Sequence, residues 1–334
     1  MDLLFTVTNP DKNTTIDDSD FKNHFPSINL STSWRSIEPY IRQATEEYLI
    51  PYIGNNFYDE VVAVNAGSSD MLKYIQSKCK DIVAYYTIWL AMPHLNRVIS
   101  DLGVQENSST DGNSQPSSMW RYKNSRWETM VAADKMLDRL LIYMESNVAN
   151  LSTWKNSDEY NEVGHPLFRT TKQLAKYTTI NSRRLFKALM PYFDQAIDLN
   201  VVEGMCREQY EDLLTKIDTG TAKEKQLIEY LRKAIANYTM YRAIPHLRVS
   251  FESNALLFVS SSDGMNIKQT ALKEAIDSLR AQLLQDAKAY LSKMQSYLYT
   301  YVDDFPIYKE KSYSTANTEM VISSRDKKGG IMVL

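Results

Sequence analysis

Glycine and proline are scarce in this chain of 334 residues, at 10 each, and cysteine occurs twice. So little turn-forming punctuation leaves long uninterrupted segments, which favours an α-rich fold. Cys79 and Cys206 both lie in segments of helical period. The natural reading is a reducing intracellular compartment with no disulfide. No run of about 18 apolar residues occurs, so no membrane-spanning helix is expected. The opening "MDLLFTVTNPDKNTT" lacks the basic and apolar regions of a signal peptide. A dominant charge is missing too: 38 Lys and Arg face 41 Asp and Glu, for a net charge of −3. With no basic block, binding of free nucleic acid is not suggested. What is plentiful is apolar and aromatic: hydrophobic residues make up 43% of the chain, and there are 22 tyrosines. That is enough to bury the cores of two ordinary domains.

The chain repeats itself. "AYYTIWLAMPHL" (84–95) returns as "ANYTMYRAIPHL" (236–247), with Pro93 and Pro245 separated by 152 positions. At the same offset "PYIRQA" (39–44) falls on "PYFDQA" (191–196), "YDEVV" (58–62) on "YEDLL" (210–214), and "STDG" (109–112) on "SSDG" (261–264). Several ordered matches at one offset point to tandem duplication of a unit of about 150 residues. In copy one, Ile37, Tyr40, Ile41, Ala44 and Tyr48 predict a helix over 33–50, punctuated by Pro51 and Gly54. A short helix follows near 55–64. A long one carries Leu72, Ile75, Cys79, Ile82, Val83, Tyr86 and Leu90 on one face. Pro93 and Pro245 are expected to end or kink the long helices, because proline lacks the N–H and clashes with the preceding turn. Alternation at Leu247, Val249 and Phe251, then "ALLFV" (255–259), predicts a hairpin, with a weaker version at 95–105. Closing helices are expected near 125–149 and 267–299. The resulting plan is mainly α: an N-terminal arm (1–30), helical unit 1 (31–149), a linker (150–177), helical unit 2 (178–302) and a C-terminal arm (303–334).

Chemistry is thinly signposted. No HExxH, CxxC, GxSxG or phosphate-binding glycine loop is present. His94 and His246 each follow a proline at a helix end, where the ring can cap carbonyls of the last turn. The competing reading is a metal or catalytic site built around the two histidines. The acid pairs Asp59–Glu60 and Glu211–Asp212 point in different directions on a helix, and read as a solvated face or a contact between subunits. "MWRYKNSRW" (119–127) interleaves aromatics with Arg121, Lys123 and Arg126. Near-neutral overall charge favours a protein interface over base stacking there, with Trp120, Arg121, Tyr122 and Trp127 as candidate partner-binding residues. The apolar Ile331, Met332, Val333 and Leu334 are a second candidate, docking on a neighbouring chain.

"IPYIG" (50–54), the long helix reaching "LAMPHL" (90–95), and the β-like segment and polar loop beyond it carry a resemblance. The chain resembles head–tail connector (adaptor, neck ring) proteins of tailed bacteriophages, in the long duplicated form of Bacteroides and crAss-like phages. The likeness covers most of 30–300 and is closer in copy one. Copy two departs from "IPYIG", with "NVVEG" (200–204) in its place. The resemblance implies a structural virion protein rather than an enzyme, without cofactor or metal. It implies a ring, commonly of twelve copies, assembled in the host bacterial cytoplasm. Such a ring binds the portal and other neck or tail proteins and lets DNA pass without specific binding. The rivals are a soluble α-helical repeat scaffold for a cellular protein, and an enzyme built around His94 and His246.

Overall fold

The computed structural model describes residues 3–7, 14–29, 32–95, 97–100, 103–106, 119–246, 250–251, 256–257 and 273–311. They are mainly helical and fall into two compact units. Unit 1 is Met1–Val163 with Ser182–Arg184; unit 2 is Gly164–Asn181 with Leu185–Leu334.

In unit 1, α1 (Trp34–Ala44) buries Trp34, Ile37, Ile41 and Ala44 at three- and four-residue spacing. Each of the larger ones contributes roughly 1.5–3 kcal/mol. That offsets Pro39, which sits inside the helix at a cost of about 3 kcal/mol. A π-helical turn, Thr45–Leu49, follows without a break. The Thr45 hydroxyl donates to the Ile41 carbonyl at 2.8 Å at its start. Then come α2 (Ile50–Ile53), Gly54 at φ +79°, and α3 (Asn55–Val62). The long α4 (Asp70–Leu95) packs along α5 (Met119–Ser146) and against α1. Between α4 and α5, β1 (Arg97–Ser100) pairs antiparallel with β2 (Gly103–Glu106), Arg97 opposite Glu106. Two short helices close the unit, α6 (Ser152–Lys155) and α7 (Asp158–Asn161). Trp154 of α6 is wholly buried and donates to the Tyr52 carbonyl at 3.2 Å.

Unit 2 contains α8 (Thr171–Leu174), and then the same order of elements returns. Helix α9 (Arg183–Ala196), with Pro191 inside it, runs into a second π-helical turn, Ile197–Val201. It is followed by α10 (Val202–Met205), Cys206 at φ +67°, and α11 (Arg207–Thr215). Helix α12 (Ala222–Ala243) starts on a capping box in which Thr221 and Glu224 satisfy each other's backbone N–H. It packs along α13 (Lys273–Thr300). Strands β3 (Ser250–Phe251) and β4 (Leu256–Leu257) pair antiparallel. The π turn, α10, α11 and α12 each begin 152 positions after their counterparts.

The structure differs from the sequence reading in four places. The segments read as an N-terminal arm and a linker are packed. Ile16 and Phe21 are fully buried in the unit 1 core, tied by an ion pair from Asp20 to Lys80 (2.6 Å) and a hydrogen bond between His24 Nδ1 and Asp81 (2.7 Å). Phe168 and Leu174 are buried likewise, and Arg232, 152 positions after Lys80, donates to the Leu167 carbonyl at 3.0 Å. Helices α4 and α12 therefore each carry a strap, drawn from the chain that precedes α1 and the chain that precedes α9. The straps were illegible because 3₁₀ turns and extended backbone have no helical period. The unit boundary accordingly falls at Val163 and Gly164, not at the ends of 150–177. At the far end, Phe305 is buried and 306–311 is helical, so the chain stays folded past 302. Pro93 does not stop α4, which continues to Leu95. Proline removes only its own N–H and crowds the carbonyl four residues back, so residues after it can stay helical. Lastly, the counterpart of "IPYIG" is Val202–Cys206, "VEGMC", so Cys206 and not Gly204 stands where Gly54 does.

Candidate functional site

The two proline–histidine corners are built alike. The His94 imidazole stacks on the Tyr40 ring, with centroids 5.5 Å apart and planes at 20°. His246 stacks on Tyr192, at 5.8 Å and 16°. Among the described residues neither imidazole hydrogen-bonds to a helix carbonyl, so the capping reading gives way to a stack against α1 in unit 1 and α9 in unit 2. Both histidines are exposed. Among the described residues, no three or more His, Cys, Asp or Glu side chains are grouped to hold a metal ion.

Behind each corner stands an arginine; sequence reading placed Arg126 only within an aromatic–basic run and did not single out Arg280. Pro93 has no N–H for the Trp89 carbonyl four residues back. Arg126 Nε approaches that oxygen at 3.5 Å, and its guanidinium lies 5.3 Å from the Trp89 ring. In unit 2, Arg280 lies 5.0 Å from the ring of Tyr241, four residues before Pro245. Its buried Nε has no hydrogen-bond partner among the described residues.

The start of α5 exposes two neighbouring large apolar side chains. Met119 and Trp120 retain 67% and 69% of their surface, and Arg121 beside them is exposed. Tyr122 and Trp127 are half-buried, so the four α5 candidates are not one face. Ile331, Met332, Val333 and Leu334 lie outside the described residues.

The remaining polar clusters are internal to each unit. Arg184 bridges Asp134 at 2.7 Å and Asp138 at 2.9 Å. Tyr86 donates to Asp134 at 2.5 Å, and Ser182 to Asp138 at 2.6 Å. Burial opposes the Arg184 charge, but the bond to Asp138 and the charges of both carboxylates outweigh it and hold its proton more tightly than usual. Burial first, and then the Asp134 charge, raises the Tyr86 phenol. Arg183 and Glu145 form an ion pair with side chains only 3% and 2% exposed. The Arg183 guanidinium lies 5.2 Å from the Trp154 ring and 5.0 Å from that of Tyr160. Burial pushes the Cys79 thiol up to about 12, which makes it a core residue rather than a nucleophile. Burial also lowers His165 to about 4. Its Nδ1 accepts the Leu167 N–H at 3.2 Å, which fixes the neutral tautomer and leaves Nε2 facing the Tyr210 hydroxyl at 3.1 Å.

Comparison with known proteins adds one finding. The model of a family of unknown function, DUF6712, matches residues 35–164 and again 192–318. The chain belongs to this family. The first DUF6712 match opens in the first turn of α1 and the second at Tyr192 within α9, so both straps lie outside the matched segments. No curated protein and no solved structure matches the chain.

Proposed function

We propose that this DUF6712 protein is a structural component of the neck of a tailed bacteriophage. In this reading it is a head–tail connector that assembles as a ring between portal and tail, in the virion and not as an enzyme. The chain is a tandem duplication of one connector unit, with a long helix that closes near a Pro-His pair and a small hairpin in each copy. DNA passes the ring without specific binding.

The observation that carries the reading is where the residues of resemblance sit. Ile50–Gly54 is the turn that follows the π-helical segment and has a counterpart in Val202–Cys206, and Leu90–Leu95 is the end of α4, whereas α12 ends at Ala243, two residues before Pro245. The double family match supports the duplication. The exposed Met119 and Trp120 support assembly, since aromatic and Met side chains are enriched at protein interfaces.

The test is particle imaging and native mass of the purified chain, alone and with a cognate portal. A closed ring that docks on the portal is the expected result. A strict monomer that ignores the portal at every concentration refutes it.

A further inference from the structure

Each strap carries one histidine, and the two are bonded in opposite senses. In unit 1, His24 Nδ1 lies 2.7 Å from a carboxylate oxygen of Asp81. An ionised carboxylate only accepts, so this nitrogen already carries a hydrogen. A second proton would go to Nε2 and leave the bond in place. In unit 2, His165 Nδ1 accepts the N–H of Leu167, two residues on, at 3.2 Å. The ring does what an Asn or Asp side chain does in a turn of this kind. Two backbone bonds close the turn: His165 N–H donates to the Phe168 carbonyl at 3.3 Å, and Phe168 N–H to the His165 carbonyl at 2.8 Å.

Three helices of unit 2 surround this imidazole. Phe193 of α9 stacks on it, with centroids 6.0 Å apart and planes at 10°. The Tyr210 hydroxyl of α11 faces Nε2 at 3.1 Å. From α12, Arg232 donates to the Leu167 carbonyl at 3.0 Å, which brings a cation to the turn. Burial first, and then the charge of Asp194, raises the Tyr210 phenol, with Arg207 and Asp198 acting on it in opposite senses. Glu229 of α12 accepts from the Tyr177 hydroxyl at 2.7 Å. Among the described residues no carboxylate hydrogen-bonds to His165. A proton on Nδ1 would therefore meet the Leu167 N–H head on, in a buried place with no counter-charge bonded to it.

We propose that His165 is a proton-operated release for the strap of unit 2: a proton taken from water onto Nδ1 breaks the bond to Leu167, drives the imidazole out to solvent and peels residues 164–181 from α9 and α12. The one helix in this segment, α8, is a single turn. The strap can therefore leave without breaking a long helix, and segments of that kind open at less cost than the whole unit. Its departure uncovers Phe193, on which Phe168 also rests at 5.3 Å, and frees the Arg232 guanidinium from the Leu167 carbonyl. The strap of unit 1 stays in place, because its histidine donates. None of this depends on the oligomeric state of the chain.

The test is amide hydrogen exchange of the full chain, read by mass spectrometry between pH 7 and pH 5 and corrected for the intrinsic pH dependence of exchange. With His165 lowered to about 4 in the closed strap and ordinary in the open one, the opening constant of 164–181 should rise about 20-fold over that range. Peptides from α12 and from 14–29 should keep their protection. In His165→Asn the side-chain oxygen can still accept from Leu167, and in His165→Phe a ring still faces Phe193. Neither side chain titrates, so in both variants the rise in 164–181 should vanish. A strap that stays protected at pH 5 in the wild-type chain overturns the proposal. So does one that opens only together with α12, or a rise that persists in a folded variant. The wild-type comparison decides even where a variant fails to fold.

Discussion

The positive-φ corner after each π-helical turn makes a reciprocal prediction. Gly54 has φ +79° and ψ 156°, a region essentially reserved for glycine. Gly54→Ala should therefore cost about 1–3 kcal/mol in backbone strain. A Cβ there would also stand 2.5 Å from Glu159 Oε2, but that is the far end of a flexible side chain and can swing away. At roughly 2–4 °C per kcal/mol for a unit of this size, the melting point should fall by about 2–12 °C. Cys206 holds nearly the same conformation, φ +67° and ψ 152°, with a side chain. Cys206→Gly should relieve about 1–3 kcal/mol of strain and return roughly 0.5–1 kcal/mol in chain entropy. The net expectation is a gain of about 0–2 kcal/mol. The two effects can be read separately, because all five tryptophans (Trp34, Trp89, Trp120, Trp127 and Trp154) lie in unit 1. In urea, Gly54→Ala should lower the midpoint seen by tryptophan fluorescence. Cys206→Gly should leave that midpoint in place and raise the remaining transition seen by far-UV circular dichroism. An unmoved fluorescence midpoint in Gly54→Ala, or a loss above about 1 kcal/mol in Cys206→Gly, would refute the strain argument.

Three further outcomes can be checked. Glu145→Ala leaves Arg183 charged and buried, and should cost about 3–5 kcal/mol in urea unfolding; the double replacement Arg183→Met with Glu145→Leu should recover most of it. His165 is lowered to about 4 against an ordinary value near 6.5, so the unfolded chain binds the proton first as pH drops. Its contribution is complete above pH 6.5 and is lost as pH falls towards 4, by at most about 3 kcal/mol; His165→Phe should flatten that part of the stability–pH curve. Arg126→Ala removes the group facing the Trp89 carbonyl and the contact with its ring, and should cost about 1–2 kcal/mol, read by tryptophan fluorescence.

The long helices were legible because an apolar stripe that recurs every three or four residues over five or more turns falls on one face only when the backbone is helical. Cys79, Ile82, Val83 and Tyr86 are indeed the buried face of α4. The 152-residue offset was legible because identical pairs such as Pro-Tyr and Pro-His keep one spacing. Three things were not. A π-helical turn adds one residue to a helix, and over 33–50 the apolar pattern absorbs it. The straps bury single residues such as Ile16 and Phe21 from non-helical backbone, so they look like polar arm and linker. The corner of unit 2 was misplaced because the eye matches glycine to glycine: Gly204 was paired with Gly54. Gly204 answers instead to Tyr52, and a Cβ on it would meet Leu291 and Gln295 of α13 at 3.0 Å. For the candidate site, sequence located the histidines and the exposed Trp120. It did not show that Tyr40 and Tyr192 are their partners, since a contact across half a unit leaves no local signal.

The π-helical turns bear on what the two family-matched segments share. Each residue in a helix advances the direction of its side chain by about 100°, so one extra residue redirects everything after it. Thr45–Leu49 reads TEEYL and Ile197–Val201 reads IDLNV, without a single identity between them. Both nonetheless hand the chain on so that Ile53 and Met205 enter their cores. Here the shared quantity is a count and not a spelling: every letter differs between the two turns, while losing one residue would turn the following segment inside out.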